Sequence, residues 1–511
     1  MIPAILQVKE KKNKYLTLKN FNLINSNFTI DSYSVFLERS GLQIDPNSKL
    51  KIELIEDHNL RDEEYHIDID DNITITSKDN RGVILAFTTI YNLFLESSTI
   101  KCREIVDYPF KRHRGFMLDC ARHFFSKEIV MSIIEEMSLL KLNKFHWHLS
   151  DDQGFRIKLD KYLNLVDDNN FYSKDDIKEV VDFALRRGID IIPEIDIPGH
   201  TTAILANLEG LSCVDTKLSV GVLPGIYGNA LCIGNEFTYL FLDNLFKELA
   251  SVFIYPYIHI GGDEVITSNW ESCEKCRKVS KENNLKSNHE LQGYFNKKVR
   301  LIAAQYGKKI IIWNDSYSLQ DSSFDGIVQY WQSSHNNKDF KKYKSGNKEI
   351  INSDYFHFYY DFPSFFGGLK RTYKYKSNYK NIVGFEACLW TERVLNHEMI
   401  LEKLFPRIYA LGEKNWSFKL NYHKFIKEIQ KVSLVRLEKG FDINLKYLDK
   451  KNKKEYLRNH FKELSKMEYV KTTFETKFGF LNSLKFFIYY IGFKGLIIIN
   501  KLKKEEKNGK N

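Results

Sequence analysis

Two acids stand side by side in the run His259-Ile260-Gly261-Gly262-Asp263-Glu264. Neighbouring side chains of a regular strand point to opposite faces, so one pocket receives both only where the backbone bends. Gly261 and Gly262 permit that bend because they lack a Cβ. Carboxylates held close in a partly dry site push their proton affinities apart, so one stays ionised while the other keeps a proton to donate near neutral pH. That suits cleavage of a glycosidic bond, in which the departing oxygen needs an acid and the cationic sugar needs negative charge. A polar strand end with a helix-capping aspartate is the alternative reading of the same residues.

Trp313, Trp331 and Trp390 are half of the chain's six tryptophans, and each closes a short apolar run. Pyranose rings pack their C–H faces on indoles, so three at one mouth predict a sugar or acetamide pocket; Trp is also common in cores. Arg122, Asp361 and Glu392 are charged groups available to fix sugar hydroxyls through charge-assisted hydrogen bonds. His146-Trp147-His148 resembles the HxH of metal-dependent hydrolases, with His200, His259 and Asp263 as further ligands. No Lys or additional His pair completes such a site. Histidines that hydrogen-bond the carboxylates are expected instead, with no metal and no cofactor.

These residues need a scaffold that gathers strand ends. Short apolar runs recur at 115–118, 144–149, 190–195, 257–260, 309–313, 326–331, 349–351 and 384–389, separated by helical stretches. Ser126 is expected to cap one helix, and Ser173 another that Gly188 ends. Buried strands alternating with helices over 109–440 predict a (β/α)8 barrel. A doubly wound sheet is the competitor, but no glycine-rich phosphate loop follows any of the strands. Chemistry in such barrels sits at the C-terminal ends of the strands, where the polar and aromatic residues named above collect. Before the barrel, residues 1–108 read as a small α+β domain. Tyr65, Ile67, Ile69 and Ile73, Ile75 alternate as half-buried strands around the turn Asp70-Asp71-Asn72, and Gly82 opens a helical run.

The formal charge of +10 is unevenly placed. Residues 441–511 hold 17 Lys/Arg against 8 Asp/Glu, which leaves the preceding body near neutrality. A neutral body argues against a nucleic-acid partner. Within that basic, helical-looking extension, 486–499 is apolar except for Lys494 and is followed by Lys501, Lys503 and Lys504. It is short and interrupted for a membrane span. A helix docked on the barrel and a peripheral membrane contact held by apolar burial and lysines both remain open. The seven cysteines are scattered, and Cys273-x-x-Cys276 has neither a second pair nor a nearby His in sequence to complete a zinc site. The opening MIPAILQVKEKKNKYL reverses the order of a secretory signal, so a cytoplasmic protein is expected.

Five stretches resemble the motifs of the family 20 glycoside hydrolases, the β-N-acetylhexosaminidases: RGFMLDCARHFF (114–125), LNKFHWHLSDDQGFR (142–156), IPEIDIPGHT (192–201), HIGGDE (259–264) and EACLWTE (386–392). Residues 62–94 are similar to the small domain that precedes the barrel in that family. The resemblance implies a retaining exo-enzyme acting on glycans with terminal β-linked GlcNAc or GalNAc, in which the 2-acetamido carbonyl oxygen is the nucleophile. Release of a disaccharide and noncatalytic carbohydrate binding are the alternatives. By similarity Glu264 protonates the leaving oxygen and then activates water, Asp263 orients the acetamide N–H, and Tyr359 bonds its oxygen, with Tyr360 the less favoured register. Trp313, Trp331 and Trp390 box the sugar; Arg122, Asp361 and Glu392 hold ring hydroxyls. Asp196 and His200 support the acid, and His146, Asp151 and His259 stand behind it. The chain departs from the family at Asp315, where Glu is usual, and at Phe155, where Trp is frequent. Asp315 receives no role from the resemblance.

Overall fold

The computed structural model describes residues 1–438 apart from 26, 168, 320–323, 333–347, 363–367 and 378–380. The basic extension and the two readings of its apolar run lie outside the described residues. No helix among the described residues is long and apolar enough to cross a membrane.

The first strands are β1 (Gln7–Thr17), β2 (Asn22–Asn25), β3 (Lys51–Glu56), β4 (Tyr65–Ile69), β5 (Ile73–Ser77) and β6 (Thr99–Asp107). They form one sheet in the order β1-β6-β4-β5-β3-β2. The expected hairpin is β4–β5, antiparallel with Ile67 opposite Ile75. Its alternating isoleucines pack, together with Ile52 and Leu54, in one core with Val83, Phe87 and Ile90 of the helix Asn80–Glu96. The Asp79 carboxylate caps that helix by accepting from the Gly82 N–H at 2.7 Å. Gly82 is there for room: a Cβ would lie 2.0 Å from the Ser77 hydroxyl oxygen.

The barrel comes next. It opens with β7 (His113–Asp119) and β8 (Lys144–His148), and a two-stranded ribbon, β9 (Ser150–Asp151) and β10 (Gly154–Phe155), leaves the top of β8. The remaining barrel strands are β11 (Asp190–Glu194), β12 (Tyr257–His259), β13 (Lys309–Trp313), β14 (Ile327–Tyr330), β15 (Ile350–Asn352) and β16 (Ile382–Leu389). All eight barrel strands pair in parallel, and β16 closes on β7. Each run predicted from apolar patterning is a barrel strand, because parallel strands under a helical ring are buried on both faces. The helix Lys174–Leu185 carries the expected cap as a reciprocal box: Ser173 Oγ accepts from Asp176 N, and the Asp176 carboxylate accepts from Ser173 N. Ser126 differs. It sits at the cap position, but its hydroxyl serves Glu128 instead of a backbone N–H.

Charges are buried where the two domains meet. Arg114, on β7, donates to both oxygens of Glu63 at 2.8 and 2.7 Å. Burial opposes the Glu63 charge, but Arg114 holds the carboxyl down to about 2. Asp107 accepts from Lys141 Nζ at 2.8 Å, from Trp416 Nε1 at 3.0 Å and from the Tyr65 hydroxyl. Lys141 and Asp107 are both fully inaccessible to water. The Trp416 ring lies under the Lys141 ammonium at 4.3 Å. Residues of the sheet, of the first βα connection and of the final barrel helices thus share one ion pair.

Connections of the barrel also gather the cysteines. Cys213 and Cys232, between β11 and β12, lie beside Cys273 and Cys276. Folding thus supplies the second pair that linear spacing lacks, because the βα connections after neighbouring strands are neighbours in space.

Removing one member of a buried pair strands the other charge, which costs roughly 3–5 kcal/mol. Asp107→Ala is therefore expected to lower the unfolding free energy by about that amount in urea titration. Adding Lys141→Met, which removes the stranded ammonium, should recover part of the loss. Equal losses in the single and double variants would show that the pair does not link the domains.

Candidate active site

The upper barrel is filled by a polar network and not by an apolar plug. Glu194, at the end of β11, is wholly buried and accepts from His148 Nδ1 at 2.6 Å and from Trp313 Nε1 at 2.9 Å. His146 Nε2 lies 3.0 Å from the same carboxylate. His146 Nδ1 meets Glu386 at 2.8 Å, and Glu386 also bonds His113 and Gln329. Burial disfavours an imidazolium, but the two glutamates push His146 up to about 9, and Glu194 with Asp151 pushes His148 up to about 10. Both glutamates stay well below the usual carboxylate range despite burial. Their charges are thus balanced inside the barrel. His259 differs: burial lowers its proton affinity although the Glu194 carboxylate lies 2.9 Å from its Nδ1, and the Gly261 N–H bonds the same nitrogen at 3.0 Å.

That bond starts the bend that the sequence requires. Gly261 and Gly262 have φ of +60° and +88°, and Glu264 itself has +50°. A Cβ on Gly261 would meet the Asp196 carboxylate at 2.0 Å, and one on Gly262 the Ser316 hydroxyl at 2.6 Å. Both positions therefore need glycine for conformation and for space. The turn is held from three sides. Gly262 N donates to Asp196 at 3.0 Å, Gln292 donates to Gly262 O at 3.0 Å, and Glu264 N donates to Asp315 at 3.1 Å.

The turn brings the two acids into one place. One side-chain polar atom each from His200, Asp263 and Glu264 lies within 4.8 Å of the others. Asp263 Oδ1 is closed to solvent and has no hydrogen-bond partner among the described residues. Glu264 remains about a third exposed. Burial, then the charges of Asp315, Glu264 and Glu194, raise Asp263 to about 7 against the pull of His200. Asp196, also buried, is raised well above the usual carboxylate range by burial and by the charge of Asp263. Burial opposes a charge on His200, but Asp151, which accepts from its Nδ1 at 3.1 Å, raises it well above the usual imidazole range, and its Nε2 lies 3.7 Å from Glu264.

Aromatic rings wall the opposite side. Trp331 stacks on Tyr359 with a 12° interplanar angle and a 6.2 Å separation. Trp390 lies 6.0 Å from both Tyr359 and Trp313. The neighbouring Tyr360 points away, its hydroxyl donating to Arg407 O at 2.9 Å, so only Tyr359 faces the rings. Arg122 sits over the Trp390 ring at 4.9 Å, fixed to Asp151 at 2.7 Å, with a buried Nε that has no partner among the described residues. Asp361 also has a buried oxygen without a partner among them. Burial and the nearby Glu392 raise Asp361 to about 7, and burial raises Glu392 despite Arg122. Apart from His146, which lies inside β8, the sequence-predicted site residues thus fall at the strand ends or in the loops that follow them. Asp263, Glu264, Tyr359, the three indoles and Arg122 converge, while His146, Asp151, Asp196 and His259 lie behind them.

Four groups hold positions to which the sequence assigns no role. Asp315 has a definite place: besides Glu264 N it accepts from Trp331 Nε1 at 3.1 Å, tying the acid to the aromatic wall. Asn314 accepts from Trp331 N at 2.8 Å and donates to Gln332 O at 3.0 Å. Glu194 and Glu386 form the charged floor. The signal for Asp315 was its position two residues after a strand-ending Trp; for Glu194 it was a lone acid inside an apolar run.

The chain's relatives agree with this geometry. Residues 111–419 match the family model of the glycosyl hydrolase family 20 catalytic domain, and residues 2–108 match domain 2 of the same family. A β-hexosaminidase of Porphyromonas gingivalis is 30% identical over 403 residues, covering 70% of this chain and 51% of the relative. One of Vibrio furnissii is 30% identical over 351 residues, 60% of this chain and 57% of the relative. The chain thus spans little more than half the length of these curated relatives. Among solved structures, the β-N-acetylhexosaminidase of Bacteroides fragilis superposes with a TM-score of 0.77 at 27% identity, covering 87% of this chain and 96% of that one. The chitobiase of Flavobacterium johnsoniae gives 0.76 at 28%, with 90% and 75% covered. With both of its domains matched in order and the acids, indoles and tyrosine gathered at one mouth, the chain belongs to glycosyl hydrolase family 20.

Proposed function

We propose that this chain is a retaining exo-β-N-acetylhexosaminidase that uses the substrate's own acetamide as nucleophile. One observation carries the reading: Asp263 Oδ1 is a buried acceptor without a donor among the described residues, beside Glu264 and near enough to Tyr359 for its charge to act on that hydroxyl. An unpaired buried acceptor is costly until a ligand donor meets it. The 2-acetamido N–H of a bound hexosamine is such a donor. An inverting pair of carboxylates stands roughly 6.5–9.5 Å apart to admit water. One carboxylate oxygen each from Asp263 and Glu264 lies within 4.8 Å of the other, a close approach for such a pair.

The steps derive from the residues. Glu264 gives its proton to the glycosidic oxygen while the acetamide carbonyl oxygen bonds to C1 and the C1–O bond to the aglycone breaks. Asp263, ionised, holds the N–H as positive charge spreads over the oxazolinium ring, and the Tyr359 hydroxyl donates to the acetamide oxygen. Water then attacks C1 and yields its proton to Glu264. The ring reopens to the acetamide, and two inversions leave the β configuration unchanged. Trp313, Trp331 and Trp390 pack against the sugar and its acetamide, which excludes water from the intermediate. Arg122, Asp361 and Glu392 offer partners for the ring hydroxyls.

Glu264→Gln is expected to reduce kcat about 10²–10⁴-fold on glycosides with poor leaving groups, and far less on activated aryl glycosides that need little protonation. Asp263→Asn should cost about 10²–10³-fold on both, because it orients and neutralises charge instead of donating a proton. Steady-state rates on paired aryl and alkyl substrates check both. Cleavage of 2-hydroxy glucosides as fast as 2-acetamido ones would exclude the acetamide as nucleophile. Absence of any aryl-glycoside hydrolysis would leave a carbohydrate binder.

Asp263 acts ionised, and its raised proton affinity means that kcat/KM should fall as pH drops through about 7. Asp315→Asn removes one of the charges that raise it. The acidic limb should then move to lower pH in a kcat/KM profile; an unmoved limb would assign that ionisation to another group.

A further inference from the structure

Cys213, Cys232, Cys273 and Cys276 place their four sulfurs within 4.8 Å of one another. The separations are 3.6 Å for Cys213–Cys276, 3.6 Å for Cys232–Cys273 and 3.7 Å for Cys232–Cys276. A tetrahedral tetrathiolate with Zn–S of about 2.3 Å keeps its sulfurs about 3.8 Å apart. All four cysteines are free thiols, and the three contacts link them in one chain through Cys276 and Cys232 instead of closing two separate pairs. We propose that these four cysteines bind one zinc ion as a structural site, separate from the sugar pocket.

The surrounding backbone is built to hold such a site. Cys273-x-x-Cys276 enters the helix Glu274–Glu282, with Cys273 at the cap position. The partial positive charge of a helix N-terminus favours thiolates there. The Gly234 N–H donates to the Cys276 sulfur, as backbone amides do around metal thiolates. Gly234 tolerates nothing larger, because a Cβ would fall 2.1 Å from the carbonyl carbon of Lys275. On the other side, Cys232 N donates to Leu211 O at 2.7 Å, and Ser212 pairs with Leu231, which fixes Cys213 against Cys232. Soft sulfur donors in a tetrahedron select zinc over the oxygen-seeking magnesium and calcium.

Placement shows what the ion would do. Cys213 and Cys232 lie in the connection that begins with Asp196 and His200; Cys273 and Cys276 lie in the one that begins with Asp263 and Glu264. Leu231, next to Cys232, donates its N–H to Pro198 O at 2.9 Å and accepts from Trp270 Nε1 at 3.0 Å. Zinc would bind these two active-site loops to each other from outside the pocket. It takes no part in the reaction.

The test uses the full chain purified in thiol-containing buffer without chelator. Elemental analysis is expected to find about one zinc per chain, falling to below about one fifth of that in Cys213→Ser and Cys276→Ser. Cobalt exchanged into the wild-type protein should give the thiolate charge-transfer and intense visible bands of a tetrahedral S4 centre, a readout that needs no folded variant. Wild-type protein without metal, with four freely titrating thiols or with disulfides by mass spectrometry, would overturn the proposal, as would iron in place of zinc. Neither metal content nor the cobalt spectrum depends on hydrolase activity, so the two proposals stand or fall separately.

Discussion

Glu194 carries a negative charge in the middle of the barrel, where an isolated carboxylate would be prohibitively costly. It is tolerated because it accepts from side chains of two other strands, His148 on β8 and Trp313 on β13, and lies 3.0 Å from His146. The floor of the site is therefore fixed by electrostatic necessity as well as by packing. Each donor is turned by the charge it serves, as the Trp313 ring is by the bond its N–H gives to Glu194. Glu386 does the same for His113, His146 and Gln329. Buried networks of this type are stable only when complete. Loosening one member would release several strand ends together.

Above this floor the acids are treated differently. Asp263 is enclosed, close to like charge and reluctant to ionise; Glu264 reaches solvent and touches His200 only distantly. The separation comes from a turn of two residues with left-handed φ, wedged between Asp196 and Ser316. Neighbours in sequence are thereby given unlike surroundings, which is how one pocket holds both a charge stabiliser and a proton donor.

Much of this was legible in the chain before folding. Strand ends could be found because parallel barrel strands are apolar runs, and a polar or aromatic residue that closes such a run faces the mouth. Asp263, Glu264 and the three indoles were found this way. Glu194 was harder to value, since its partners lie 46 and 119 residues away and nothing local marks them. Asp315 differs from its family by one methylene, and only the fold shows its carboxylate spanning Glu264 N and Trp331 Nε1. The cysteine cluster was illegible for a similar reason: Cys213 and Cys232 lie 63 and 44 residues from Cys276. Side-chain spacing within one element can be read by eye; convergence of separate βα connections cannot.

Asn314 has a quieter effect. It grips the backbone of Trp331 and Gln332 from the neighbouring strand, so the end of β14 is tied to the exit of β13. Asp315, the next residue, holds the same indole by its N–H and also accepts from Glu264 N, so any change in how β13 ends would reach the acid and the sugar's aromatic wall together.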